Sequence, residues 1–165
     1  MTTQEILVFH KQVFPKSCPS SVMELVLKLH GIFKPDCYNI QNLYGDTNVG
    51  FSKKFELDNR GLTTTEQSLP PKDALLIIEQ EAKDGRFPLV SMPTESRNGL
   101  FLQYERIAED SCHIFIPILT NGNLALVCHA HRAQLPFVFA DIDVTVREIL
   151  RLLPTYQMNF LTYKK

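Results

Sequence analysis

The stretch HIFIPILTNGNLALVCH, residues 113–129, decides the fold prediction. Its two arms, residues 113–119 and 124–129, are rich in branched and aromatic side chains, which favour extended strands. Asn121 and Gly122 lie between the arms, and an Asn-Gly pair accepts the positive backbone angles that two-residue hairpin turns need. The stretch therefore predicts two antiparallel strands joined by a tight turn.

The length of this turn also predicts which residues face each other. With a two-residue turn, Thr120 lies opposite Asn123, and counting outward places His113 opposite Ala130. A bulge of one residue would bring a neighbouring histidine opposite His113 instead.

Runs of the same character surround the hairpin, at residues 87–92, 99–104, 137–142 and 158–163. Each is bounded by turn-forming residues, and the last run is predicted to be an edge strand. Residues 144–153 are predicted to form a helix before that strand. The second half of the chain is thus expected to be mainly antiparallel sheet.

The first half of the chain has helical periodicity instead. After Cys18, apolar side chains recur every three or four residues until Gly31, which predicts an amphipathic helix. Residues 74–82 carry a second such stripe, and residues 6–9 are predicted to be an entering strand or an extended arm. Helices followed by an antiparallel sheet predict an α+β fold in which N-terminal helices pack on a C-terminal sheet.

Length and charge exclude several classes of function. We expect residues 1–165 to form a single domain, since that length suits one hydrophobic core. The 17 basic residues nearly balance the 18 acidic ones and are scattered, so neither nucleic acid nor a membrane surface is an expected partner. No export signal or spanning segment is recognisable. We expect a cytoplasmic protein, with secretion into a host cell without a cleavable leader as the alternative.

Four cysteines, Cys18, Cys37, Cys112 and Cys128, are predicted to be thiols, because nothing else in the composition suggests an oxidising compartment. Cys18 lies where a loop turns into a helix, and the unpaired amides and positive dipole end there stabilise a thiolate. A catalytic thiol also needs a base and a donor for the oxyanion. Gln12, six residues before Cys18, is the candidate donor.

The order of these residues resembles a known layout. Gln12, five intervening residues, Cys18 at a helix start and a distant His113 at a strand start resemble papain-like cysteine peptidases. The segments KQ (11–12), SCPSSVM (17–23) and LKLHG (27–31) are similar to the opening of the bacterial double-glycine, bacteriocin-processing peptidases. GRFPLV (85–90) and HIFI (113–116) are similar to that group's strand before the histidine and to its histidine strand.

The resemblance implies a papain-like fold and a thiol hydrolase that needs no cofactor. Cys18 would be the nucleophile, His113 the general base and then acid, and Gln12 with the Cys18 backbone amide the oxyanion hole. The substrate would be a peptide bond or a side-chain amide of a protein. A protease and a glutamine deamidase of the kind found among bacterial effectors are both open, and a thiol acyltransferase would use the same residues.

The third catalytic member, usually Asp or Asn, departs from the family pattern. Its expected position, at the end of the strand after the histidine strand, is occupied by residues 128–131. His129 is one candidate to orient His113, Asp141 or Asp143 on the next predicted strand is another, and a dyad without a third member is also open.

A different class of function is a catalytically inactive binding module that keeps the papain-like fold. Thiolates and imidazoles are the ligands that structural zinc prefers. A zinc site at the hairpin is therefore the alternative hypothesis, with four candidate ligands: Cys112, Cys128, His129 and His131.

Overall fold

A computed structural model describes residues 1–93, 112–129, 137–139, 146–147, 149–151 and 153–165. Only the backbone is described at Pro93, Cys112, His113, Thr120, Cys128 and residues 137–139. The predicted strand at 99–104 lies outside the described residues.

The chain begins with a helix, α1 (Thr3–Phe9), so the prediction of a strand or arm at residues 6–9 is wrong. A capping box starts this helix: the Thr2 hydroxyl accepts from the Glu5 amide, and the Glu5 carboxylate accepts from the Thr2 amide. These bonds satisfy amides that a helix start leaves unpaired. Ile6 and Leu7 are buried, which fixes α1 on the core.

The second helix, α2 (Cys18–Leu29), confirms the prediction made from its apolar spacing. Pro19 lies in its first turn, where the missing amide hydrogen costs nothing. The helix is followed by Gly31 in the left-handed conformation, with φ +70°. Every residue from Cys18 to Lys28 is buried, so the polar face of this amphipathic helix also packs against protein.

Three helices and one unpredicted strand follow α2. The short helix α3 (Asn39–Tyr44) comes first, and α4 (Phe55–Asp58) is a single turn. The first strand, β1 (Thr63–Leu69), was not expected, although it begins with three β-branched threonines. The helix α5 (Pro71–Lys83) confirms the second predicted helical stripe.

The described residues form one six-stranded sheet, in which every strand pair is antiparallel. The strand order is β1-β6-β2-β3-β4-β5, which places the last strand between the first and second. The prediction of a strand at 158–163 is confirmed, whereas its expected place at the edge of the sheet is wrong. The remaining strands are β2 (Leu89–Pro93), β3 (Cys112–Thr120), β4 (Asn123–Cys128), β5 (Phe137–Phe139) and β6 (Met158–Lys164).

The hairpin of β3 and β4 has the predicted turn and register. Asn121 has φ 51° and Gly122 has φ 80°, the positive angles that such a turn requires. Thr120 pairs with Asn123, and the pairing continues without a bulge to Ile116 opposite Val127. The register that was deduced from turn length is confirmed over this part of the hairpin.

Two hydrophobic clusters cover the two faces of the sheet. Alternation along β3 separates them, since Ile114 and Ile116 belong to one cluster and Phe115 to the other. The first cluster includes α1 to α4, and the second includes α5 with Val146 and Ile149 from the helical residues near 150. The α+β class is confirmed, but helices lie on both faces of the sheet.

Within the described residues, none of the helices combines the length and the apolar character needed to cross a bilayer.

Candidate functional site

Cys18 lies at the first residue of α2 and its sulfur rests on the backbone of β3. The Ile114 amide donates a hydrogen bond to Cys18 Sγ at 3.2 Å, and the thiol lies 3.7 Å from the Ile114 carbonyl oxygen. These contacts join residues separated by 96 positions in the chain. The start of α2 and the histidine strand β3 are therefore adjacent.

His113 directly precedes Ile114 in β3, and its backbone pairs with Met92 of β2. Only the backbone of His113 is described. The histidine strand is thus in contact with Cys18, while the role of the imidazole stays a prediction.

Burial decides the charge of the Cys18 thiol in this conformation. The side chain is 6% exposed, and burial raises the pKa of Cys18 to about 12, although the hydrogen bond from Ile114 opposes this rise. The stabilisation of a thiolate that was expected from the helix start is outweighed by the loss of water. At neutral pH this raised pKa favours the protonated thiol.

Gln12 is buried and braces the loop that leads to Cys18. Its Nε2 donates to the carbonyl oxygens of Phe14 at 2.9 Å and Pro15 at 3.1 Å. These two bonds use both hydrogens of the amide, so Gln12 would have to release one of them to serve an oxyanion.

A second glutamine, Gln41 of α3, binds the same loop at three points. Its Oε1 accepts from the Val13 amide at 2.7 Å and from the Ser17 hydroxyl at 2.8 Å, and its Nε2 donates to the Lys11 carbonyl at 3.0 Å. Gln41 is fully buried. Sequence reasoning missed this residue, since a glutamine in a short helix carries no signal of such contacts.

His129 lies against α1. Its Nε2 is 2.6 Å from the Leu7 carbonyl oxygen, and its ring meets that of His10 edge-on at 4.9 Å between centroids. Burial lowers the pKa of His129 to about 4, so the ring is neutral at neutral pH. Whether His129 orients His113 stays a prediction, and Asp141 and Asp143, like His131, lie outside the described residues.

A buried polar cluster on the opposite side of α2 was also missed. His10 Nδ1 lies 3.0 Å from Lys28 Nζ, and His10 Nε2 lies 2.9 Å from the Ser21 hydroxyl. Lys28 Nζ also lies 3.8 Å from the centre of the Tyr38 ring. Burial lowers the pKa of Lys28 to about 8. The helical spacing of Ser21 and Lys28 resembles an ordinary solvated face, so nothing in the sequence indicated their burial.

The positive charge of Lys28 determines which atoms of this cluster donate hydrogen bonds and which accept them. A Lys28 ammonium can only donate, so His10 Nδ1 accepts from it. The proton of neutral His10 is then on Nε2 and is donated to Ser21. Burial, His129 and Lys28 all lower the pKa of His10, which keeps this ring neutral.

The zinc hypothesis stays a prediction. In the described part of the chain, no three potential ligand side chains are grouped closely enough to hold a metal. Of the four candidate ligands, only the His129 side chain is described, and its Nε2 is engaged with the Leu7 carbonyl.

A groove of about 840 Å³ borders α1. Exposed Val8 and Phe9 make it largely apolar, and Tyr38 connects it to the buried cluster. Its lining consists of Met1, Gln4, Glu5, Val8, Phe9, Lys11 and Tyr38, which does not include Cys18.

Comparison with protein-family models, with curated proteins and with solved structures finds no match to this chain. Its function must therefore be inferred from its own geometry.

Proposed function

We propose that this chain is a papain-like, cysteine-dependent hydrolase that acts on a peptide or side-chain amide bond of a protein substrate. Cys18 is the nucleophile and His113 the general base. The observation that carries the proposal is the contact between Cys18 Sγ and the Ile114 amide, because Ile114 is the residue next to His113 in β3. We place the activity in the cytoplasm or, for an exported effector, in the cytoplasm of a host cell.

The reaction begins from a protonated thiol, as the raised pKa of Cys18 requires. His113 removes the proton as the sulfur attacks the carbonyl carbon, and a carbon–sulfur bond forms. His113 then protonates the departing amine or ammonia, leaving an acyl group on Cys18. Water, deprotonated by His113, attacks this acyl group, and the thiol is regenerated with release of a carboxylic acid.

Three hydrogen-bond donors of the site support the transient thiolate and oxyanion. The Ile114 amide already donates to Cys18 Sγ, and such a bond is stronger to a thiolate than to a thiol. The Cys18 backbone amide lies in the first turn of α2, at the positive end of the helix dipole. Gln12 can add a donor when substrate displaces one of its two loop carbonyls.

Selective alkylation tests this proposal. Cys37 is a half-buried free thiol and supplies an internal reference in the same molecule. Iodoacetamide at neutral pH, followed by peptide mass spectrometry, measures the rate at each cysteine. An activated Cys18 reacts faster than Cys37 despite its burial, and His113→Ala slows Cys18 below Cys37. His30→Ala removes a histidine from the other end of α2 and serves as the matched control.

Slower labelling of Cys18 than of Cys37 in the unmodified chain, unchanged by His113→Ala, would overturn the proposal. For an active chain, a glutamine-containing peptide mixture then separates the reactions. Cleavage yields shorter peptides, deamidation converts glutamine to glutamate in an intact peptide, and acyl transfer consumes an added amine.

A second candidate function is a catalytically inactive binding module of the same fold. It is favoured by the burial of Cys18 and by the engagement of both Gln12 amide hydrogens within the loop. It predicts that Cys18 labels slowly and that His113→Ala changes nothing. Elemental analysis of the purified chain tests the zinc that this alternative places at the hairpin.

A further inference from the structure

We propose that Gln41 is a positioning residue for the Cys18 site, an inference that rests on the proposed function. Gln41 belongs to α3 and touches neither Cys18 nor Ile114 through any of its three side-chain bonds. It acts instead through the loop of residues 11–17, which carries Gln12 and delivers Cys18 to the start of α2.

The three bonds of Gln41 are spread along this loop. They hold the Lys11 carbonyl, the Val13 amide and the Ser17 hydroxyl, so both ends and the middle of the loop are fastened to one side chain. Ser17 is the residue immediately before Cys18, and its Oγ also accepts from the Phe14 amide at 3.1 Å. The backbone on either side of Gln12 is thereby fixed.

The helix that carries Gln41 is itself fastened to α2. The Ile40 amide donates to Glu24 Oε2 at 2.8 Å, and Glu24 is a fully buried residue of α2. Hydrogen bonds therefore run from α2 to α3, from α3 to the loop, and through Ser17 back to the start of α2. This hydrogen-bond network joins α2, α3 and the loop, and so holds the loop and Cys18 in one position relative to β3.

Positioning matters here because the resting thiol is protonated. Cys18 depends on a base that must lie within hydrogen-bond reach, and a displacement of about 1 Å is enough to weaken such a proton transfer strongly. Releasing the loop would uncouple Cys18 from His113 even where α2 and the sheet stay folded.

The experiment measures the pH profile of Cys18 alkylation in the full chain. Gln41→Leu removes the three bonds to the loop, and we expect the Cys18 profile to shift to higher pH, with the rate near neutral pH falling by about tenfold or more. A buried thiol without a base in reach ionises only at its own raised pKa. Tyr44→Phe is the matched control. Tyr44 lies in the same helix as Gln41, and the substitution removes its hydrogen bond of 2.6 Å to Glu56 of α4 without touching the loop. A purely structural role would lower thermal stability in both variants and leave both profiles unchanged.

Ser17→Ala provides a milder variant in case Gln41→Leu does not fold. It removes the Ser17 contact with Gln41, and a smaller shift in the same direction is expected. An unchanged Cys18 profile in the folded variants, with an activated Cys18 in the unmodified chain, would overturn the inference about Gln41 alone. An unmodified chain without activated Cys18 would overturn the proposed function itself.

Discussion

The two sides of α2 are both buried, but they differ in what they bury. The side toward the sheet presents Cys18, Val22, Leu25 and Val26 to an apolar cluster. The side toward α1 and α3 buries Ser21, Glu24 and Lys28 together with His10 and Gln41. The apolar side is stabilised by removing surface from water, whereas the polar side depends on every donor finding an acceptor.

Burial also changes the pKa values of the ionisable groups on the two sides of α2. On the polar side, burial lowers the pKa values of Lys28 and His129 and raises that of Glu24, so each group is moved toward its neutral form. On the apolar side, burial raises the pKa of Cys18 for the same reason. The proposed nucleophile, Cys18, thus lies in the environment least suited to a charge, so the proposed reaction would need a base.

The largest expected effect is on the apolar side. Leu25 is fully buried, and Leu25→Ala should lower the free energy of unfolding by about 3 kcal/mol through lost burial and a residual cavity. Urea denaturation measures it. Because no ionisable group is removed, the loss should be the same at neutral and mildly acidic pH; a loss that varies strongly with pH would show that the two sides are coupled.

Glu24 tests the polar side. Glu24→Ala leaves the Ile40 amide without its acceptor and should cost about 2.5 kcal/mol. Glu24→Gln keeps an acceptor oxygen and nearly the same volume, and should cost under about 1 kcal/mol. Urea denaturation of both variants measures the difference, and equal losses would mean that the hydrogen bond to α3 contributes little.

The lowered pKa of His129, on the polar side, should make the free energy of unfolding depend on pH. The pKa of His129 is about 4 in the folded chain, below its ordinary value, so the unfolded chain binds a proton first as pH falls. The stability gained from neutral His129 is complete above about pH 6.5 and is lost as pH falls toward 4. Between about pH 7 and about pH 5 the loss is about 2 kcal/mol.

His129→Gln is the control for this prediction. It removes the titrating group, so the unfolding free energy should decrease less steeply over the same pH range than in the unmodified chain. His10 adds to the slope in the same direction, because its pKa is also lowered. Parallel slopes in the two proteins would contradict the assignment.

The smallest expected effect is that of Cys18 itself. Cys18→Ala removes one sulfur atom and the bond from the Ile114 amide, and should cost about 1 kcal/mol. Thermal unfolding measures this loss, while the proposed reaction should be abolished. A loss as large as that of Leu25→Ala would favour a structural role for the cysteine.

Predictions from local pattern succeeded where the structure depends on neighbouring residues. Asn121 and Gly122 define a turn whose geometry sets the strand register, and the spacing after Cys18 defines α2. α1 was mistaken for extended chain because its apolar run is short, although the Thr2 and Glu5 capping signal was present.

Non-local features could not be predicted in the same way. The strand β6 pairs with β1, about 90 to 100 residues away, and with β2, about 70 residues away, and nothing in these segments specifies their partners. The burial of Ser21, Glu24 and Lys28 likewise depends on α1 and α3 covering that side of α2.

The sequence by itself determined the α+β class, the hairpin with its register, and a cysteine at the start of a helix, because turn angles and helix spacing are local properties. Only the tertiary structure brought Cys18 onto β3 at Ile114, fastened its loop to Gln41 and made its sulfur a protonated thiol. Those properties arise from contacts between distant segments and from the exclusion of water, which no local pattern records.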